Sequence, residues 1–368
     1  MIDISKLSQG AQWQYSTFER GNSHPGPINH SCKYPFQIIT VNQETECVLC
    51  HCDAWLPISV GKAIDFDSIE DVFNSAIARE LQEDVASKKF THCAVKVCGI
   101  LNSNRAFKET QLYINIDNSC NLSCLSCRRQ QFMITEGPEF THKVKTMEKI
   151  LLWLSKYDKP IHITISGDGD CLASHIMRPL VKTYEPLPNQ TFTLFTNGLL
   201  MKKNLPGVPM LKKVTHYRIS VDAGSREVYE HVRRPGKWSV LQDNFDWLVE
   251  NCNGAQVNLA YVFQRNNMHD LENFAKMCKE RGFHGEVSAL ENWATWSRPA
   301  DFQGTLVNGV DVFTITNGSF LDNDVLNPAN PQFDTALDIL RDVGSRYIDS
   351  ITIHSKIRNL YATRQLNK

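Results

Sequence analysis

The stretch Leu112-Tyr113-Ile114-Asn115-Ile116-Asp117-Asn118-Ser119-Cys120-Asn121-Leu122-Ser123-Cys124-Leu125-Ser126-Cys127 decides how the rest of the chain is read. Leu112 to Asp117 alternates as a β-strand does, apolar then polar. Directly after that strand comes a loop with the spacing C-x3-C-x2-C. Three thiolates this close cannot all pair with one another, but they can converge on one cluster. A four-iron, four-sulfur cluster held by three cysteines keeps one iron open, as a catalytic zinc keeps a position open for substrate. The alternative is a zinc loop that borrows a fourth ligand, although structural zinc usually appears as paired CxxC-like hooks.

Downstream of the loop the chain repeats a strand-then-helix pattern. Met147, Ile150, Leu151 and Leu154 mark a helix, and Ile161, Ile163 and Ile165 alternate in a second strand. Further strands are expected at Phe192–Thr196, Tyr217–Asp222, Val257–Phe263 and Glu286–Leu290, with helices between them. Six such units predict an α/β fold with a parallel sheet and outer helices, open or curled into a partial (β/α)6 barrel. Site residues then belong at the carboxyl ends of the strands. The stretch from residue 293 to 368 reads as a cap or tail with one helix near Phe333–Val343.

Upstream, residues 1–30 are polar and irregular. Tyr34–Val41 and Val48–Cys52 predict a hairpin, and Ser68 with Asp71 predicts a helix start with an apolar face on Ile69, Val72, Phe73, Ala76 and Ile77. Residues 31–105 thus read as a small hairpin-plus-helix domain before a core at 106–292. Such a thin core needs help, and its cysteines can supply it.

Composition narrows the function. The chain has 368 residues, with 39 Lys+Arg against 40 Asp+Glu, so no global basic field points to nucleic acid or an anionic membrane. The start has neither a basic segment followed by an apolar one nor a long apolar run, so a cytoplasmic protein is expected. In a reducing compartment the 12 cysteines are read as metal or cluster ligands before disulfides. No Walker, G-x-S-x-G or H-E-x-x-H signature occurs.

The C-x3-C-x2-C loop after a first strand of a βα array resembles the radical S-adenosylmethionine (radical SAM) superfamily, and three further segments agree in order. Ser166-Gly167-Asp168-Gly169-Asp170-Cys171 resembles the superfamily's Gly-Gly-Glu-Pro turn, with Gly169 and Asp170 matching its glycine and acid and Cys171 standing where proline is usual. Phe195-Thr196-Asn197-Gly198 is similar to its T-N-G segment. Ile219-Ser220-Val221-Asp222-Ala223-Gly224, continuing to Arg233 and Arg234, resembles the "iSiDg…R" segment of members that modify sulfatases and peptides. Finally, Cys32, Cys47, Cys50, Cys52, Cys93 and Cys98 resemble a SPASM/Twitch auxiliary-cluster module, placed here before the barrel instead of after it.

What this resemblance implies is specific. S-adenosylmethionine chelates the open iron of a cluster on Cys120, Cys124 and Cys127. An electron from a donor such as flavodoxin or ferredoxin cleaves the sulfonium, and the resulting 5′-deoxyadenosyl radical abstracts hydrogen from a substrate C–H bond. Asp170 receives the cofactor ammonium, while Ser220 and either Arg233 or Arg234 receive its carboxylate. Ser126 stands where many relatives place an aromatic residue on the adenine, so that contact must come from elsewhere.

A second four-iron cluster is implied on Cys32, Cys50, Cys93 and Cys98, with Cys47 or Cys52 as replacements. On a strand Cys50 and Cys52 share a face and Cys47 points away. Structural zinc is the alternative for this site. Cys171, beside the expected cofactor, is a possible hydrogen donor. Cys278 reads as a core residue, and Trp293 and Trp296 could floor a substrate cavity.

The resulting expectation is an oxidoreductase or maturase acting on a peptide or protein side chain. The alternatives are dehydrogenation of a small polar molecule of the aminosugar type, and a non-catalytic iron–sulfur or zinc module.

Overall fold

The structure is a computed structural model that describes residues 2–7, 11–12, 15–16, 20–21, 31–51, 56–96, 98, 107–128, 130–167, 169–291, 306–307, 310–311 and 319–366. The chain divides into two compact units.

The first unit comprises Met1–Ser119, Ile134–Leu194 and Gly207–Val214. Its amino-terminal part holds β1 (Ile38–Val41), β2 (Glu46–Val48) and β3 (Ser59–Lys62), joined as antiparallel neighbours. The hairpin is shorter than its sequence suggests, and its second strand is Glu46–Val48 where Val48–Cys52 is expected, so Cys50 lies beyond the strand. Tyr34–Phe36 forms a 3-10 turn instead of extending β1, because Pro35 has no N–H to give a ladder. The expected single helix is two, α1 (Ile69–Asn74) and α2 (Ala76–Ala86). Ser68 caps the first through Asp71 N, as its sequence predicts, and Ser75 turns extended and caps the second through Ala78 N. Ile77 is consequently exposed, and Ala78, Leu81 and Val85 form the buried face.

β4 (Thr110–Ile114), α3 (Gly137–Lys156), β5 (Ile161–Ile165), α4 (Arg178–Thr183) and β6 (Gln190–Thr196) then repeat the strand-then-helix pattern. β4 pairs with β5 and β5 with β6, all in parallel, and on its other side β4 pairs in parallel with β1. The hairpin therefore continues the parallel sheet of this unit, with Gln111 N bonded to Gln37 O and Asn115 N to Val41 O, both at 2.8 Å. Ile38, Leu112, Ile114, Ile161, Ile163, Ile165 and Phe192 are fully buried on this sheet, and Trp153 of α3 donates its indole N–H to Phe66 O at 2.9 Å.

The second unit comprises Cys120–Met133, Phe195–Pro206 and Thr215–Lys368. In it run β7 (Val214–Ser220), α5 (Met201–Asn204), α6 (Arg226–Val232), α7 (Trp238–Asn251), β8 (Gln256–Phe263), α8 (Leu271–Arg281) and β9 (His284–Ala289). A short hairpin, β10 (Leu306–Val307) with β11 (Val310–Asp311), precedes α9 (Phe320–Asn323), α10 (Phe333–Arg346), β12 (Ile351–Ile353) and α11 (Ser355–Leu366). β7, β8, β9 and β12 are parallel neighbours in that order. β12 was not expected in the tail. Along β8 the buried residues Val257, Leu259, Tyr261 and Phe263 alternate with half-buried Asn258, Ala260 and Val262, so one sheet face packs on α8 through Phe274 and the other is only partly covered. Cys278 lies fully buried on α8, as expected. The fold is mixed α/β with parallel strands, and among the described residues no helix is long and apolar enough to cross a membrane.

Candidate functional site

The three cysteines of the C-x3-C-x2-C loop lie in the second unit, and their backbone is tied from two sides. Cys120 N bonds Phe132 O at 2.8 Å, Ser123 N bonds Arg234 O at 2.6 Å and Leu125 N bonds Val232 O at 3.0 Å. Cys120 and Cys124 are buried against Leu122 and Leu199, while Cys127 is exposed. The T-N-G segment reaches this loop, where Asn197 Nδ2 donates to Asn121 Oδ1 at 2.8 Å and stands 3.9 Å from Cys120 Sγ.

Of the two arginines that the sequence leaves open, Arg233 faces the cysteines. Its Nη1 donates to Cys124 Sγ at 3.4 Å, and its Nη2 pairs with Asp222 Oδ2 at 2.7 Å. Arg234 turns away and donates Nε to Ser123 O. Asp222 is buried and sits at φ +56, an unusual conformation for a residue with a Cβ. It is held there by Val262 N on its Oδ1 at 2.7 Å and by Asn267 Nδ2 on its carbonyl at 3.0 Å. Burial pushes the Arg233 pKa down, but Asp222 and the contact with Cys124 outweigh it and shift it upward, so the guanidinium stays charged. Its Nε is buried and has no hydrogen-bond partner among the described residues.

Arg128, also buried, faces the same thiols. Burial works against its charge, and Cys127, Cys120 and Cys124 together push its pKa up. Three thiols, two guanidinium groups and one spare buried N–H form a donor set that fits a cluster with an anionic ligand, since a carboxylate can accept from a buried N–H that nothing else satisfies. Ser220 closes β7, half-buried and in register with Ala260 of β8.

Gly169, Asp170 and Cys171 lie in the first unit, after β5. A Cβ on Gly169 would come within 2.2 Å of Ser119 O, so only glycine permits this approach. Asp170 N bonds Ser119 O at 2.8 Å. The Asp170 carboxylate is 2% exposed, and its Oδ1 accepts from Leu172 N and Ala173 N, both at 3.0 Å. One oxygen of the expected ammonium acceptor thus caps the turn that follows it. Burial, then the Asp170 charge, pushes the Cys171 thiol well up, and it is fully enclosed. Asp117 completes this corner. Its Oδ1 accepts from Ser119 N at 3.0 Å and Ser119 Oγ at 2.9 Å, and its Oδ2 accepts from Ser174 Oγ.

Five of the six amino-terminal cysteines fall within the described residues. Cys32, Cys50, Cys93 and Cys98 line one cavity together with Tyr34, Pro35, Leu49, Leu56, Val85 and Phe90. Burial pushes the Cys32 thiol up to about 11 and Cys93 further, so both are neutral near pH 7 and a metal would have to displace their protons. Cys47 is fully buried in β2 opposite Gly61 of β3 and does not line the cavity. Among the described residues no three Cys, His, Asp or Glu side chains stand close enough together to hold a single metal ion. Cys52, Trp293 and Trp296 lie outside the described residues. Asp117 and Arg128 were not singled out in the sequence, and neither was the carboxylate of Asp222 as the partner of Arg233.

Residues 114–278 match the model of the Radical SAM superfamily. The match covers less than half of the chain. The chain is also similar to several solved structures. With Streptococcus suis SuiB bound to its precursor peptide SuiA it shares 10% identity at a TM-score of 0.40, covering 80% of this chain and 65% of that one. With anSMEcpe holding AdoMet it shares 16% at 0.40, covering 66% and 61%. With TYW1 carrying a lysine–pyruvate adduct it shares 19% at 0.33, covering 47% and 62%. The chain therefore spans less than two thirds of each of these structures. None of the curated proteins compared matches it. The matched stretch runs from the end of β4 into α8 and contains the three cysteines of the loop, Asn197, Ser220, Asp222 and Arg233.

Proposed function

We propose that the chain is a radical SAM enzyme whose cluster is held by Cys120, Cys124 and Cys127, and that it oxidises or cross-links a peptide or protein side chain. The observation that carries this reading is the buried line from Asp222 through Arg233 to Cys124, in which a guanidinium locked by a carboxylate touches a loop thiol and keeps one N–H spare. When bound, the cluster and S-adenosylmethionine supply a reductively generated carbon radical that removes hydrogen from a substrate C–H bond. The chain's own residues bind and shield. Arg233 offers its spare Nε and its charge to the cofactor carboxylate, with Ser220 beside it on the sheet end. Gly169 brings the turn after β5 against Ser119, and Asp170 stiffens that turn. The two buried guanidinium groups offset the negative charge of three thiolates.

Cys32, Cys50, Cys93 and Cys98 would hold an auxiliary cluster, a reading supported by their lining one cavity. The peptide substrate is supported by the Ser220-to-Arg233 segment alone. A single four-cysteine cavity favours a second reading, dehydrogenation of a small polar molecule. Flavodoxin or ferredoxin would provide the electron.

Anaerobic reconstitution with iron and sulfide, followed by S-adenosylmethionine and dithionite, tests the core claim. The expected product is 5′-deoxyadenosine, at levels well above those of Cys124→Ala. Equal amounts from the two proteins would sink it. Deuterium transfer from labelled peptides or aminosugars into the product then separates the two substrate readings.

A further inference from the structure

Two charged side chains meet the turn that presents Cys93 to the four-cysteine cavity. The first comes from the amino-terminal lead-in. Gly21 N donates to Cys93 O at 3.0 Å, and a Cβ on Gly21 would come within 2.0 Å of Phe90 O, so only glycine lets this segment lie against the turn. Arg20, one residue earlier, is 3% exposed. Its Nη1 donates to His92 O at 3.4 Å and its Nε to Tyr15 O at 2.9 Å, and the guanidinium carbon lies 4.7 Å from the centre of the Tyr15 ring. Burial works against its charge, but arginine keeps its proton in proteins.

The second charge is Asp84, half-buried on α2. Its carboxylate accepts from Thr91 N at 2.7 Å and from Thr91 Oγ1, and its carbonyl accepts from Lys89 N at 3.0 Å. Both groups act on the cysteine that follows. Burial first, then Cys32, Cys98 and Asp84, pushes the Cys93 thiol up, and Arg20 alone pulls it down. A cluster on four thiolates is anionic and gains one more negative charge on reduction. A fixed cation beside it therefore favours the reduced form, and a fixed anion the oxidised form.

We infer that Arg20 and Asp84 set the reduction potential of a cluster on Cys32, Cys50, Cys93 and Cys98, Arg20 raising it and Asp84 lowering it. The inference rests on the auxiliary-cluster reading above and adds the residues that decide how readily that cluster takes up an electron. The test is a potentiometric titration, followed by electron paramagnetic resonance, of the reconstituted full-length protein carrying Cys120→Ala, Cys124→Ala and Cys127→Ala. That parent retains the amino-terminal cluster alone. Arg20→Gln should lower the midpoint until the reduced-to-oxidised ratio at a fixed potential has fallen roughly tenfold, which is 59 mV for a one-electron couple. Arg20→Lys, which keeps the charge, should stay near the parent, and Asp84→Asn should move the midpoint up. Water admitted by a loosened turn would stabilise the more charged reduced form and raise the midpoint, so a fall in Arg20→Gln is not the mark of disruption. An unchanged or raised midpoint in Arg20→Gln overturns the inference, as does a fall in Arg20→Lys equal to that in Arg20→Gln. If Arg20→Gln assembles no cluster, Asp84→Asn decides, and a midpoint at or below the parent's overturns the inference. Absence of a reducible cluster in the parent protein would instead remove the auxiliary-cluster reading, so the two failures are distinct.

Discussion

At the scale of single residues, the Asp222–Arg233 pair sets the site. Both side chains are buried, and a buried charge stripped of its partner costs about 3–5 kcal/mol, more than the pair contributes over an apolar substitute. Arg233→Met should therefore destabilise the protein by about that much in urea unfolding. Adding Asp222→Asn should recover part of the loss. Equal stability of Arg233→Met and wild type would show that the pair is not structurally coupled. The sequence pointed to this segment but could not choose between Arg233 and Arg234, since neighbouring residues at a helix end point in different directions and only the loop at Cys124 decides which is used. Asp117 was illegible for a related reason. It reads as the last polar residue of a strand, and its role depends on Ser174, 57 residues further on.

At the scale of elements, the loop after β5 matters most. Gly169 allows its backbone to lie against Ser119 O, and a methyl group at 2.2 Å must push one of them away. Gly169→Ala should cost about 1–3 kcal/mol by overpacking and should lower affinity for S-adenosylmethionine, read by equilibrium dialysis of the reconstituted protein. Unchanged binding with unchanged stability would remove the turn from the site. The glycine was legible because the -Gly-Asp- motif stands beside a clear strand. β5 itself was read at Ile161–Ile165, where alternation is unbroken. β7 begins at Val214, three residues before the expected start, because Thr215 and His216 hide its opening. β12 has only Ile351–Ile353 and makes no periodic signal at all.

At the scale of the whole molecule, the cysteines divide by place. Replacing Cys32, Cys50, Cys93 and Cys98 by alanine should remove half of the iron bound after reconstitution and leave the remainder on the loop at Cys120. Cys47→Ala should keep all of it. Full iron retention by the fourfold variant would refute the second cluster, and zinc in place of iron in the wild-type protein would make the site structural. The sequence nominated these four from six on the premise that Cys47 and Cys50 share a strand, whereas β2 ends at Val48, and the cavity the four line also includes Val85 of α2 and Phe90. β1 carries a further consequence. It lies against β4 in parallel along Ile38–Val41, so a chain shortened to begin near Lys108 would leave Gln111 to Ile114 as a bare, mainly apolar strand rim. Such rims recruit strands from other molecules. The shortened chain should accordingly form soluble aggregates on size exclusion. Recovery of a dispersed monomer would show that the hairpin is not needed as its guard.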